Sequence, residues 1–566
     1  MIISRALQTI LGLLPLTAPP GHFVKPGLIS SSDDRIRPSR IVDTGYAQYL
    51  GQFTPPFSIA HLGIPYAEPP VDDLGFRKPV PLDTEKLRRK GGILDATKYP
   101  MFCVQGTTGH GDAGGAGTED CLKLNVYSPL NATVDSKLPV LFYIHGGGYL
   151  YGNPRNWPFE HWINQSPNVV IVSIYYRLNS LGFLTHPAFT YSSSKESLGD
   201  HNAGLHDQVQ ALRWVKENIA AFGGDPGKVT ISGQSAGAGS VMLHLVANEE
   251  ELFHAAIIQS PDREVLPISD QQEPLFEYYA THADCGDNLE SVEETMTCLR
   301  RAPVEDLARA QDACGSLRRP DGEPYEKWRP VFDEELITEY PTKKFIDGTF
   351  VHVPMIVGAT SNETLVSGKN LKEALKTLYP LLGDDDLDEF NKVYDPEQFG
   401  SEAERFRAGT GEPNLRCGRE IIGGEGAKFA KAWTYRYNQP NPTAHEPGIT
   451  EHAAENWMMF LGSNTGTNGF TTFTGLNEAE TAFSEELIAY WLSFVRTHNP
   501  NTFKLARSPD WPDFSTEQRL VLQQSTEADE GVGGYREWSD AYVEGEPEDE
   551  VKRCEFVASK YEHLQV

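Results

Sequence analysis

Cysteine is scarce in this chain. There are seven in 566 residues, at 103, 121, 285, 298, 314, 417 and 554. No two have the close paired spacing with which a zinc site gathers its ligands. Basic side chains are outnumbered, 49 Lys and Arg against 79 Asp and Glu, for a formal net charge of -30. That balance argues against nucleic acid or an anionic membrane surface as a partner, since either needs a basic face. Beyond the N-terminal stretch no segment is apolar enough to span a bilayer, so no integral membrane association is expected. No internal repeat is visible.

What remains is the composition of an ordinary folded enzyme. Hydrophobic residues make up 39% and aromatics 10%, which allows a large core, and the length points to several domains or one large α/β unit with insertions. Met1-Ile-Ile-Ser-Arg5, an apolar run from Ala6 to Ala18, and then Pro19 and Pro20 read as a secretory signal peptide over residues 1–18. Residues 19–566 would then form the mature, extracellular protein. In that compartment the cysteines read as disulfides with at least one thiol left over. Asn131-Ala-Thr133, Asn164-Gln-Ser166 and Asn362-Glu-Thr364 are glycosylation sequons that fit export. The acidic run Glu544-Gly-Glu-Pro-Glu-Asp-Glu550 reads as solvated loop.

The apolar pattern alternates strand with helix. Val140-Leu-Phe-Tyr-Ile144 and Val169-Val-Ile-Val-Ser-Ile-Tyr175 are continuous apolar runs, as central strands covered on both faces require. Val209, Leu212, Val215, Ile219 and Phe222 recur at helical spacing before Gly223-Gly-Asp-Pro226. Further strands are expected at Ala255-Ala-Ile-Ile258, Pro354-Met-Ile-Val-Gly358 and Ala432-Trp-Thr-Tyr-Arg-Tyr437, and a long amphipathic helix from Glu478 to Thr497. Pro261 to Trp328 is charged and broken, and reads as an insertion over the sheet. The expected class is α/β, a mostly parallel sheet wrapped by helices.

One stretch carries chemistry. Val229-Thr-Ile-Ser-Gly-Gln-Ser-Ala-Gly237 passes from a β-branched run into Gly233-Gln-Ser-Ala-Gly237 and then into a helix. A strand-to-helix turn this tight needs glycine on both sides of its central residue and exposes the Ser235 hydroxyl as a nucleophile. His145-Gly-Gly-Gly148 follows a strand, and its consecutive glycines leave backbone amides unobstructed for a developing oxyanion.

These two motifs stand in order with Gly63-Ile-Pro-Tyr-Ala-Glu-Pro-Pro70, Glu119-Asp-Cys-Leu-Lys-Leu-Asn-Val126 and Tyr176-Arg-Leu-Asn-Ser-Leu-Gly-Phe-Leu184. Together the blocks resemble the type-B carboxylesterase/lipase family from about Gly45 to Lys560, although that family usually has Glu where this chain has Gln234. The resemblance implies an α/β-hydrolase fold with helical insertions, a Ser-Glu-His triad, hydrolysis of carboxylic esters, and no metal or cofactor. It directs the acid to Glu363, five residues after Gly358, and the base to His452 in Gly448-Ile-Thr-Glu-His452. His445, in the same loop, is the other candidate. The family's oxyanion donors carry over to the amides of Gly147, Gly148 and Ala236. Its two stapled loops carry over to Cys103 with Cys121 and Cys285 with Cys298, leaving Cys314, Cys417 and Cys554 unassigned. Its buried ion pairs carry over to Arg77 with Glu119 and Arg177 with Asp207.

The resemblance implies a small-molecule ester as the substrate. Two other readings stay open: a lipase for long-chain acylglycerols, and an adhesion protein that kept the fold without the chemistry. The loop from Val104 to Asp120 has no aromatic residue to face a quaternary ammonium. It is also too Gly-rich and polar to form the amphipathic lid helix of a lipase. Short-chain or soluble esters are therefore favoured, and a lid, if one exists, would be sought between Pro261 and Trp328.

Overall fold

Along Leu138–Ile144 successive side chains enter opposite cores, Phe142 and Ile144 one and Leu141 and Tyr143 the other. That is the period-two consequence of a strand buried on both faces. The computed structural model describes residues 40–105, 117–190, 198–247, 250–318, 328–444, 446–465, 471–525 and 538–566. The expected leader, His445 and most of the loop between Cys103 and Cys121 lie outside the described residues.

Among the described residues a thirteen-stranded sheet runs through the molecule. Its centre is parallel, in the spatial order Val170–Ile174, Leu138–Ile144, Gly224–Gln234, Ala255–Gln259, Met355–Thr360, Ala432–Tyr437 and Gln518–Leu522. Antiparallel strands flank it, Lys123–Pro129 and Ser58–Pro65 at one side and Tyr542–Gly545 at the other. Helices Ala203–Asn218 and Ala236–Ala247 pack on one face. Helix Glu478–Thr497 packs on the other, with Trp491 fully buried against Tyr435. Each large apolar side chain buried this way contributes about 1.5–3 kcal/mol. This is an α/β-hydrolase architecture, and Arg40–Val566 gather into one compact unit.

The long helix starts and stops for local reasons. The Asn477 side chain accepts from the Glu480 amide at 2.9 Å while the Glu480 carboxylate accepts from the Asn477 amide at 2.7 Å, a reciprocal cap. His498, at φ +54°, ends it. The helix expected to run to Phe222 stops at Asn218, and Ile219–Phe222 tightens into a 3₁₀ turn closed by Gly223 at φ +87°. Pro261 onward is an insertion, with helices Ser269–His282, Val292–Leu299 and Val304–Ala313.

Three disulfides are present, Cys103–Cys121, Cys285–Cys298 and Cys417–Cys554; Cys314 is buried outside them. Arg177 grips Asp207 through two nitrogens, at 2.8 and 2.7 Å, deep in the core. The companion pair is corrected: among the described residues no ion pair joins Arg77 to Glu119. Burial, with Asp72 nearby, pushes the Glu119 carboxyl up to about 7. The acidic run is corrected as well. Glu550 and the side chain of Glu546 are buried beside Arg419 and Arg519, and Glu544 pairs with Arg436 and Arg519, because the edge strand and the last helices fold this segment inward. Among the described residues no helix is long and apolar enough to cross a membrane.

Candidate active site

The parallel strands end on one side of the sheet, and the three sequence-derived side chains come together there. Ser235 sits between strand Gly224–Gln234 and helix Ala236–Ala247 at φ +60°, a strained position for a residue with a side chain. The flanking glycines are required by contact. A Cβ on Gly233 would lie 2.3 Å from the carbonyl carbon of Gly237, and one on Gly237 would lie 2.1 Å from the Ile144 oxygen. The Ser235 amide donates to the Gln259 carbonyl at 2.9 Å, which ties the turn to the next strand.

The His145–Gly148 loop packs directly on this elbow. A Cβ on Gly146 would lie 2.4 Å from the Gln234 oxygen. Gly147 and Gly148 take φ +116° and +60°, and the space beside Gly148 is open. Among the described residues the amides of Gly147, Gly148 and Ala236 donate to no protein group. The last of these stands at a helix N-terminus, where amides have no intrahelical partner. His145 itself is buried between Trp157 and Tyr176, and burial lowers its pKa to about 4. It is a neutral packing element.

Glu363 follows strand Met355–Thr360, fully buried, with Oε1 accepting from the Thr360 amide at 2.9 Å and from the Ser260 hydroxyl. A Cβ on Gly411 would lie 1.7 Å from the Glu363 carbonyl oxygen, so the π-helical turn Glu412–Arg416 starts where the chain must pass close behind the acid. The acid and base loops are joined to each other. The Asn362 amide donates to the Thr450 carbonyl at 3.2 Å, and the Thr450 amide donates to Asn362 Oδ1 at 3.1 Å. That pairing delivers His452, whose Nε2 lies 2.8 Å from Ser235 Oγ and whose Nδ1 lies 3.7 Å from Glu363 Oε1.

The 3.7 Å separation is an ion-pair distance, longer than a hydrogen bond; such contacts tighten on substrate binding in many hydrolases. Burial disfavours the His452 imidazolium, but the Glu363 carboxylate, with Asp262 and Glu455 adding to it, outweighs burial and raises the pKa above the ordinary histidine value.

Sequence reasoning missed several neighbours. Glu455, three residues after His452, is buried, and burial and the Glu363 charge push its carboxyl up to about 7. Its Oε1 accepts from the Tyr435 hydroxyl at 3.3 Å and lies 3.5 Å from Ser260 Oγ. Its one sequence signal was a carboxylate opening an otherwise apolar helix. Gln234, the departure from the family pattern, places Nε2 3.4 Å from His452 Nε2 and accepts from Asn456 at 3.0 Å. Of the sequons, Asn131 is exposed, whereas both amide atoms of Asn164 are used, accepting from the Phe57 amide and donating to the Pro55 carbonyl.

A serine at hydrogen-bond distance from a partly buried imidazole, beside unclaimed amides, can be acylated and deacylated. The comparisons agree with that chemistry. The sequence profile of the carboxylesterase family matches residues 39–540. Liver carboxylesterase B-1 of Rattus norvegicus is 29% identical over 530 residues, covering 85% of this chain and 89% of the relative. Lipase 1 of Geotrichum candidum is 33% identical over 409 residues, covering 61% and 68%. The crystal structure of EstA from Aspergillus niger superposes with a TM-score of 0.79 at 30% identity, covering 93% of this chain and 99% of that one. The chain belongs to the carboxylesterase family and is a carboxylic ester hydrolase of the α/β-hydrolase fold.

Proposed function

We propose that this enzyme is an exported serine esterase acting on short-chain or soluble esters through an acyl-enzyme. The observation that carries the reading is the 2.8 Å contact between His452 Nε2 and Ser235 Oγ. His452 takes the Ser235 proton as Oγ attacks the ester carbonyl, and Glu363 orients the imidazole and stabilises its cation. The amides of Gly147, Gly148 and Ala236 receive the oxyanion. His452 then returns the proton to the departing alcohol, and water repeats the sequence to release the acid. No metal or cofactor takes part.

The alcohol leaves on the side of His452. A cleft of about 530 Å³ opens there, lined by Leu365, Val366, Phe406 and Ile449, with Arg407 and Glu446 among its polar groups. The Gly-rich sequence between Cys103 and Cys121 supports an esterase without a lid.

The reading is tested on protein secreted from cells expressing the full chain, with its N-terminus read by mass spectrometry and its activity measured on esters of graded acyl length. Export with loss of the first residues is expected, together with a preference for short acyl chains and no jump in rate at the solubility limit. Ser235→Ala should lose on the order of 10⁴- to 10⁶-fold in kcat with an unchanged melting transition. Wild-type turnover in that variant would remove the mechanism. Retention inside the cell would remove the export, and a sharp rise on long-chain triglyceride droplets would make the protein a lipase. Lack of activity on every ester would favour the binding-only reading.

A further inference from the structure

The loop that carries the Gly147 and Gly148 amides is closed by a ring of buried hydrogen bonds drawn from three distant parts of the chain. At the exit of the loop, the Gln105 side chain acts as a missing strand partner for Gly152. Its Nε2 donates to the Gly152 carbonyl at 2.6 Å and its Oε1 accepts from the Gly152 amide at 3.3 Å. The Gln105 carbonyl in turn accepts from Gln311 Nε2 at 3.0 Å, on helix Val304–Ala313 of the insertion. Gln311 Oε1 accepts from the Ser180 amide at 3.2 Å and from its hydroxyl at 2.8 Å. The neighbouring residue, Asn179, returns to the loop, its amide donating to the Tyr149 carbonyl at 2.8 Å and its side chain donating to the Leu150 carbonyl. Gln105, Asn179, Ser180 and Gln311 are all buried.

Such a ring has a purpose that packing alone does not supply. Gly147, Gly148 and Gly152 stand at φ +116°, +60° and +106°, and Tyr149 between them at +58°. Glycines at these angles fix little by themselves, because their backbone has the widest freedom of any residue. Two carbonyls and one complete peptide edge of the loop are fixed instead by partners whose own amides are satisfied. A donor aimed at a developing oxyanion loses its value if it must reorganise during the reaction.

We infer that Gln105 is a positioning residue for the oxyanion hole, seconded by Gln311, and that this is a function of the disulfide-closed Cys103–Cys121 loop. The inference rests on the reading of Gly147, Gly148 and Ala236 as oxyanion donors. The insertion thereby becomes part of the site's support, since Gln311 reaches Gln105 from it.

The test uses the rate at which a fluorophosphonate probe labels Ser235. There Oγ forms the bond to phosphorus, fluoride departs, and the phosphoryl oxygen occupies the oxyanion hole without any need for the natural ester. Gln105→Ala should slow labelling by about tenfold or more, short of the 10²- to 10³-fold cost of losing a donor outright. Gln311→Leu, which opens the ring without touching the loop, should slow it by a smaller factor. On a short-chain chromogenic ester both variants should lose kcat with KM within about twofold of wild type, the pattern of an interaction realised in the transition state. Variants that melt earlier yet label and turn over at the wild-type rate would show a purely structural ring and overturn the inference. So would a loss confined to KM. If the wild type is not labelled, the proposed mechanism falls and this inference with it. A labelled wild type with equally reactive variants removes this inference alone.

Discussion

Two buried clusters of charge lie at different places in this molecule, and they are built on opposite terms. Around His452 three buried carboxylates, Glu363, Asp262 and Glu455, act on a single imidazole among neutral Ser260, Gln234 and Tyr435. Near the C-terminus guanidinium meets carboxylate repeatedly: Arg416 with Glu550 at 3.0 Å, Arg419 with Glu550 at 3.2 Å and Glu420 at 2.7 Å, and Arg553 with Glu412 at 2.7 Å. The consequences for acidity diverge between Glu455 and Glu550, while Glu546, beside Glu420 in the second cluster, is itself pushed up to about 7 by burial. Burial pushes Glu455 up to about 7 with the Glu363 charge adding to it. At Glu550 burial also opposes ionisation, but Arg416, Arg419 and Arg519 outweigh it and hold the carboxyl far below the usual range. Where buried charge is matched it fastens helix Glu548–Ser559 to helix Cys417–Ala427 and strand Gln518–Leu522, alongside the Cys417–Cys554 disulfide. Where it is left unmatched, protonation is poised for reaction.

The largest effect should come from removing the carboxylate that raises His452. Glu363→Gln keeps the shape and loses the charge, and kcat is expected to fall by about 10⁴-fold, the size of loss seen when a triad acid becomes an amide. The remaining activity carries a second signal. The base works only when neutral, so kcat/KM rises as pH rises through the His452 pKa. In the wild type that pKa is raised, and without Glu363 only the smaller contributions of Asp262 and Glu455 oppose burial, so the limb should move to lower pH. A pH profile with its limb unmoved would mean that Glu363 is not what sets the imidazole, and the contrast between the clusters would lose its first half.

The matched cluster should respond in stability and leave the chemistry alone. Arg419→Met removes one partner from Glu550 and Glu420 and leaves their carboxylates buried, at an expected cost of about 3–5 kcal/mol. Thermal unfolding reads the loss, and kcat on a short-chain ester should stay at the wild-type value. The sign with pH follows from the depressed Glu550 pKa. Its stabilisation is present above the unfolded carboxylate value of about 4.5 and is lost as pH falls below it toward the folded pKa. The difference between wild type and variant should therefore shrink in acid. A variant as stable as wild type at neutral pH would show the network to be electrostatically idle.

The reactive cluster was the more legible of the two in the sequence. Gly233 and Gly237 are demanded by backbone contacts within one turn, so the Ser235 elbow leaves a local imprint, and the His145–Gly148 loop leaves another. Strand and helix alternation was readable for the same reason, as local periodicity. Ser260 and Gln105 left no such imprint, and Glu455 only that of a carboxylate opening an apolar helix, because they meet their partners only after the sheet brings distant loops together. Composition misled at Glu546 and Glu550, since a Pro-containing acidic run reads as solvated unless the buried arginines opposite it are known. Cys417 and Cys554 lie 137 residues apart, and nothing in their spacing pairs them. The choice between His452 and His445 rests on resemblance; His452 contacts Ser235, and His445 lies outside the described residues.

The smallest expected effect sharpens the contrast most, because it adds a charge to the unmatched cluster and removes nothing. Gln234 Nε2 lies 3.4 Å from His452 Nε2, and its Oε1 is held by Asn456 at 3.0 Å. Gln234→Glu would place a further carboxylate beside the imidazole in nearly the same shape. Unit charges at that range interact by roughly 5 kcal/mol at an effective dielectric of about 20. Most of this should be offset by desolvation of the new carboxylate and by its repulsion from Glu363 and Glu455. A net rise of about one unit in the His452 pKa is expected, with the limb of kcat/KM moving to higher pH by the same amount. The plateau above it should change by less than about tenfold, because Ser235, His452 and Glu363 all remain. Opposite displacement of the limb in Glu363→Gln and Gln234→Glu would establish that carboxylates on both sides of the imidazole tune one titration. A plateau that collapses in Gln234→Glu as it does in Glu363→Gln would instead mean that the neutral amide of Gln234 is itself required.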